Sequence, residues 1–161
     1  PLLPSDLVYT GSKNLQDSLE GVSVDVGKLV LSPTRTYAPV MKAILDVFSP
    51  NDIHGAIHCS GGAQTKVLHF IDSGHVIKDN MFPIPPLFKM IQSESKTDWR
   101  EMYKVFNMGH RMELYVSPEN AASIIEIAKS FSIDAQVVGR VAESATKKLT
   151  LSTPNGTFEY A

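Results

Sequence analysis

Apolar residues recur at helical spacing in Val40, Met41, Ile44, Leu45 and Phe48, which predicts a helix over 39–48 with one buried face. Pro39 is tolerated in its first turn, and Ser49-Pro50 ends it. Ile53 to Cys59 is a short apolar run bounded by Asn51-Asp52 and Ser60-Gly61-Gly62, the mark of a buried strand. A second helix is predicted from Gly62 to Asp72, with Val67, Leu68 and Ile71 on one side and Gly74 closing it, followed by a strand over 75–78. Pro83, Pro85 and Pro86 break the backbone before a helix over 87–92, and Thr97-Asp98 caps another over 99–106. Arg111 to Val116 reads as a strand. Ser117-Pro118-Glu119 then starts a helix whose Ala121, Ile124, Ile125, Ala128 and Phe131 share one face. A strand over 133–141 follows, and strands over 147–151 and 157–160 flank Thr153-Pro154-Asn155-Gly156, a hairpin signal.

Strand–helix–strand therefore occurs twice, separated by two helices and followed by a hairpin. That order predicts the α+β class: one mixed β-sheet packed with helices, with partial ferredoxin-like (split β-α-β) topology. Residues 1–28 carry scattered Pro, Gly, Ser and Asp and read as an extended arm or linker with room for one strand, whereas 29–161 form one domain ending in the hairpin. A length of 161 residues suits one well-buried core. The opening Pro1-Leu2-Leu3-Pro4, without methionine, reads as the cut edge of a longer protein.

The balance of 15 basic against 17 acidic residues gives a net charge of −2 and no overall drive toward nucleic acid or an anionic membrane, so any phosphate must be held by local groups. A single cysteine, Cys59, excludes an internal disulfide and a cysteine-rich zinc site and makes a reducing, cytoplasmic compartment the default. The apolar runs are too short to span a membrane as a helix.

Two short motifs stand out, Ile57-His58-Cys59-Ser60-Gly61-Gly62-Ala63 and Phe106-Asn107-Met108-Gly109. In the first, a strand-to-helix turn brings amide donors together, because glycine lacks a Cβ and a helix start has unpaired N–H groups, with His58 beside them as a further donor. A tight structural turn explains the same glycines, and a plain structural role the same histidine. In the second, Asn107 and Gly109 either terminate a helix or face a ligand, and His110-Arg111 after them is either a solvated pair or an anion contact. Thr34 and Arg35, in Ser32-Pro33-Thr34-Arg35-Thr36-Tyr37, are phosphate-binding or capping residues, and Lys66 adds charge to the Gly-Gly turn or faces solvent. Cys59 reads as a buried small hydrophobe. His54, His69 and His75 lack metal-ligand spacing, and no Walker loop, dinucleotide fingerprint or nucleophile elbow is present.

Taken together, Pro33-Thr34-Arg35-Thr36-Tyr37, Ile57-His58-Cys59-Ser60-Gly61-Gly62, Phe82-Pro83-Ile84-Pro85-Pro86-Leu87-Phe88 and Glu101-Met102-Tyr103-Lys104-Val105-Phe106-Asn107-Met108-Gly109 resemble the C-terminal domain of the phosphoribosylformylglycinamidine cyclo-ligases, the aminoimidazole ribonucleotide synthetase or PurM family. The resemblance implies that domain's fold and an ATP-dependent ring closure in purine biosynthesis, in which formylglycinamidine ribonucleotide becomes aminoimidazole ribonucleotide with release of ADP and phosphate. It implies ATP and Mg2+ bound mainly by a separate N-terminal domain, a ribonucleotide substrate, a full-length homodimer in the cytoplasm, and a fragment that does not turn over alone. Carried over, His58 is the polarising or proton-handling group. Ser60, Gly61, Gly62, Asn107, Gly109, Thr34 and Arg35 are substrate- or phosphate-binding, and Lys66, His110 and Arg111 are additional anion contacts. No metal ligand, nucleic acid or membrane contact is expected from this part.

Two departures bear on specificity. The family continues the Gly-Gly turn with a third glycine and then a Glu-Asn pair, where this chain has Ala63-Gln64-Thr65-Lys66, and it follows Phe-Asn-Met-Gly with a small apolar residue and a glycine, where this chain has His110-Arg111. The alternatives are a related ATP-using enzyme (formylglycinamidine ribonucleotide synthetase, selenophosphate synthetase, thiamine monophosphate kinase or a hydrogenase maturation protein) and a non-catalytic ligand-binding or interaction domain.

Overall fold

The computed structural model describes residues 11–33 and 35–161, so the first part of the expected arm and the Thr34 assignment lie outside the described residues. In chain order the elements are α1 (Val26–Val30), α2 (Ala38–Val47), β1 (Ile53–His58), β2 (His75–Lys78), α3 (Pro86–Ser95), α4 (Trp99–Val105), β3 (Met112–Val116), α5 (Pro118–Ser130), β4 (Gly139–Ala142), β5 (Lys148–Thr153) and β6 (Gly156–Tyr160). Short 3-10 segments cover Pro50–Asp52 and Ala63–His69. The chain is a mixed α+β fold, as expected.

Its strands divide between two sheets instead of sharing one. β1 and β3 form an antiparallel ribbon, while β4-β2-β5-β6 form a mixed four-stranded sheet in which β2 and β5 run parallel. The ribbon stands apart because both of its faces are apolar. Ile57, Cys59 and Tyr115 pack into a core with Val76, Leu149, Leu151 and Tyr160 of the larger sheet, Val67 and Leu68 of the 3-10 segment, and Met102, Tyr103 and Met108. Ile53, Leu114 and Val116 instead meet Val40 and Ile44 of α2 and Ile124 and Ala128 of α5. A register shift between Ile53 and Gly55 accompanies this change of side in β1.

Three elements differ from the periodicity reading. The helix expected over 62–72 is the 3-10 segment Ala63–His69, because Gly62 and Ala63 are left-handed (φ 83° and 42°) and Thr65 binds back to Gly62 O through both its amide and its hydroxyl, each at 2.8 Å. The strand expected over 133–141 is hydrogen-bonded as a strand only from Gly139. Before that, Asn80 takes the place of a partner strand: its side chain donates to Val137 O, its carbonyl accepts from the Gln136 amide, both at 2.7 Å, and its N–H reaches Val138 O at 3.1 Å. The segment expected to be extended near Val26 is the helix α1, whose Asp25 cap accepts from Lys28 N at 2.8 Å. Ser12 fastens the same region to α3 through the Glu94 carboxylate, with its N–H at 2.6 Å and its hydroxyl at 2.7 Å.

Gly139 carries the tightest approach in the sheet, since a Cβ there would lie 1.9 Å from Ile77 O and 2.9 Å from Lys78 Cα. Gly139→Ala is therefore expected to destabilise the fold by about 3 kcal/mol, the upper part of the usual overpacking range, as measured by urea unfolding. A loss below about 0.5 kcal/mol would mean that the sheet yields at this point.

Candidate active site

Antiparallel pairing of β1 with β3 puts the end of one beside the start of the other, His58 opposite Met112, and thereby sets the two glycine-bearing bends next to each other. The ladder continues past the strands, as Cys59 N donates to Arg111 O at 2.8 Å. Ser60 N then turns back to His58 O at 2.8 Å, and Gly61 and Gly62 are both left-handed (φ 58° and 83°), a conformation open to glycine at little cost. Their amides donate to no group among the described residues.

The second bend is built from Asn107, whose side-chain oxygen accepts from Gly109 N at 3.0 Å and whose carbonyl accepts from His110 N at 2.9 Å. Met108 is buried and anchors the bend in the core. Gly109 is left-handed (φ 91°) against Pro85, where a Cβ would come within 3.1 Å of the ring. Asn107 is thus a loop-forming residue by its hydrogen bonds, and the proline-rich segment is the wall on which Gly109 rests. The bends are joined directly: Gln64, fully buried, donates its amide to Asn107 O at 2.7 Å.

A cleft of about 1150 Å³ opens beside them, lined among others by Tyr37, His58, Lys66, Phe82, Gly109 and Arg111. His58 is exposed at the end of β1, with Nδ1 and the Ser60 hydroxyl hydrogen-bonded at 3.0 Å and the Tyr37 ring edge-on at 6.4 Å between centroids. Lys66 donates to Ser60 O at 2.5 Å and sits 3.5 Å from its hydroxyl, so His58, Ser60 and Lys66 make one polar group. Arg111 lines the same cleft from the other bend. The cleft thus has Lys66, Arg111 and His58 on its wall, with the Ser60 hydroxyl and the free amides of the Gly61-Gly62 bend close by and the exposed Asp134 carboxylate elsewhere on its lining.

Two expected anion contacts are corrected by their surroundings. His110 is buried, with the Phe82 ring edge-on at 5.0 Å, and its Nε2 accepts from Phe82 N at 2.9 Å. Accepting there leaves the ring proton on Nδ1, and burial pulls the pKa down to about 4, so His110 is a neutral core group. Arg35, expected to bind phosphate or to sit in the capping segment before α2, donates to Ser132 O at 2.8 Å, just beyond the end of α5. Ser117, expected as a helix cap, makes no side-chain cap bond, and its hydroxyl faces His54 Nε2 at 3.3 Å.

A buried polar network escaped the sequence reading. Lys78 donates to Gln64 O at 3.1 Å, to Gln64 Oε1 at 3.0 Å and to the Glu113 carboxylate, while Tyr115 donates to the other Glu113 oxygen at 2.8 Å. All three ammonium protons are engaged, and the charges cancel. The signal was present in strand parity: Lys78 follows Val76 on the inward side of β2, and Glu113 stands opposite Ile57. Burial, then the Glu113 charge, pushes the Cys59 thiol up to about 12 and the Tyr115 phenol further from ionisation, so neither is a nucleophile. Glu113, one of two carboxylates lining the cleft, is engaged with Lys78 and Tyr115; the other, Asp134, is exposed. No group of three or more His, Cys, Asp or Glu side chains suited to a metal exists among the described residues.

Residues 8–152 match the family described as AIR synthase related protein, C-terminal domain. The chain is 37% identical over 115 residues to the phosphoribosylformylglycinamidine cyclo-ligase of Methanococcus vannielii, a match covering 71% of this chain and 32% of that one. It is 32% identical over 142 residues to the enzyme of the same name from Syntrophus aciditrophicus (86% and 40%), and 36% identical over 131 residues to the chloroplastic cyclo-ligase of Arabidopsis thaliana (80% and 33%). In each case it spans well under half of the relative's length.

Two outcomes follow for the buried groups. Lys78→Met leaves Glu113 charged and alone in the interior and is expected to cost about 3–5 kcal/mol in denaturant unfolding, whereas Lys78→Met with Glu113→Gln recovers a substantial part. Equal losses in the single and double variants would show that the charge stranded on Glu113 is not the source of the cost. For His110 the folded pKa lies below the unfolded value, so the unfolded state binds the extra proton between about pH 6.5 and pH 4, and stability falls as pH falls through that window. His110→Gln, which keeps an acceptor for Phe82 N, should lose about 2 kcal/mol less than the parent between pH 7.5 and pH 5, and parallel stability curves would contradict a neutral buried imidazole.

Proposed function

The chain belongs to the AIR synthase related protein family through that C-terminal domain, and on this premise we propose that it is one lobe of an ATP-dependent cyclo-ligase making aminoimidazole ribonucleotide from formylglycinamidine ribonucleotide. The observation that carries the reading is the adjacency of the two bends beside one cleft bearing His58, Lys66 and Arg111. Such a surface suits a phosphorylated, polar substrate: Arg111 and Lys66 neutralise its charge, the amides of Gly61 and Gly62 supply directed donors, and Tyr37 and Phe82 give the ring an apolar wall.

The reaction asks mainly for placement and charge control. ATP transfers its terminal phosphoryl group to the formyl oxygen and leaves as ADP; the amidine nitrogen then attacks the formyl carbon, and phosphate departs as the imidazole closes. His58 is suited to polarising that oxygen or taking the proton released at ring closure, with Ser60 holding its Nδ1 and leaving Nε2 toward the cleft. Magnesium and most of the nucleotide belong, on this reading, to a companion N-terminal lobe. The full-length protein is proposed to act as a cytoplasmic homodimer, the isolated lobe being inactive.

The test is an assay of the full-length parent with formylglycinamidine ribonucleotide and Mg-ATP. His58→Ala is expected to lower kcat by about 100-fold or more, and Lys66→Ala to raise the ribonucleotide KM about tenfold with kcat largely kept. A parent without turnover overturns the reading; a His58→Ala variant with full kcat removes the role given to that residue.

A further inference from the structure

Gln64 follows the Gly61-Gly62 bend in the chain, its side chain touches both the Asn107–Gly109 bend and the buried ion pair, and it is completely shielded from solvent. It belongs to the first turn after Gly62, so its backbone moves with the Gly61-Gly62 bend. Its amide nitrogen grips the Asn107 carbonyl at 2.7 Å, while its side-chain oxygen and its own carbonyl are held by Lys78 at 3.0 and 3.1 Å. Lys78 is fixed in turn by Glu113, and Glu113 by Tyr115. With its side-chain oxygen held by Lys78 and its backbone carbonyl held by the same ammonium group, Gln64 has little rotamer freedom left, and the donor it aims at Asn107 is pre-set.

We propose that Gln64 is a positioning residue: a strut, locked by Lys78, that holds the Asn107–Gly109 bend in register with the Gly61-Gly62 bend so that both present to one ligand. This rests on the cyclo-ligase reading for its catalytic consequence, though not for its structural one. The strut touches no ligand, and its effect passes through the Asn107 carbonyl. A medium-length amide is the natural choice here because the position needs an acceptor toward Lys78 and a donor toward a carbonyl at once. Leucine, methionine or glutamate each supplies at most one.

Gln64→Glu in the full-length protein separates the two ends of the strut, since a carboxylate still accepts from Lys78 but cannot donate to Asn107 O. Amide hydrogen exchange of the 107–111 segment is expected to speed up at least about tenfold while that of 148–160 stays unchanged, and kcat to fall about 10- to 100-fold with the ribonucleotide KM shifted far less. Gln64→Met, which keeps the shape and loses both polar ends, serves if the glutamate variant does not fold, with the same local exchange signature expected. Unchanged exchange at 107–111, acceleration that runs uniformly through the chain, or local acceleration with kcat intact in an active parent each overturns the proposal. If the parent itself does not turn over formylglycinamidine ribonucleotide, the cyclo-ligase reading falls, and the exchange pattern alone decides for or against the strut.

Discussion

The ion pair between Lys78 and Glu113 is the constraint on which the arrangement of the molecule depends. It lies where the four-stranded sheet faces the β1–β3 ribbon, two layers that share no ladder. Burying two charges costs more than most such pairs return, unless every proton and lone pair finds a partner. Here the ammonium group has three acceptors and the carboxylate two donors, and among the described residues no buried side-chain polar atom is left unpaired. Apolar side chains would tolerate many offsets between the layers. A lysine whose acceptors come from Gln64 and Glu113 tolerates one.

That fixed offset has a consequence at the surface. The ribbon enters the site at both bends, through His58 and through Arg111, and the larger sheet reaches them by way of Lys78 and Gln64. Bends with left-handed residues at Gly61, Gly62, Met108 and Gly109 have little regular hydrogen bonding of their own, so their geometry is imposed from beneath. Met108 in the core, Pro85 against Gly109 and Gln64 against Asn107 are the three contacts that impose it. The exposed groups His58, Lys66 and Arg111 are then carried on a framework that is itself buried and neutral.

The electrostatic division is equally plain. Ionisable groups beneath the cleft are held in non-reactive states: His110 neutral, Cys59 and Tyr115 protonated, Glu113 paired. The groups that line it next to solvent include the cations Lys66 and Arg111 and the imidazole of His58, with the exposed Asp134 as a carboxylate on the same lining. The cationic part of this surface is suited to anions.

Elements governed by nearest neighbours along the chain were legible before any coordinates. α2, α5 and the β5–β6 hairpin follow from apolar spacing and from Pro and Gly punctuation, and β1 from a short apolar run between turn residues, because those forces act within a few residues. The glycines of the two bends were legible for the same reason, since Gly61, Gly62 and Gly109 take a left-handed backbone that costs glycine little. Tertiary structure alone decided what those letters face. It split the strands into two sheets, gave the 133–138 segment to Asn80, turned His110 inward and Arg35 toward Ser132, and made Gln64 and Lys78 internal. A side chain's charge state and partner depend on groups brought close by folding from distant positions, 43 residues away for Gln64 and Asn107 and 35 for Lys78 and Glu113, and no local pattern encodes that proximity.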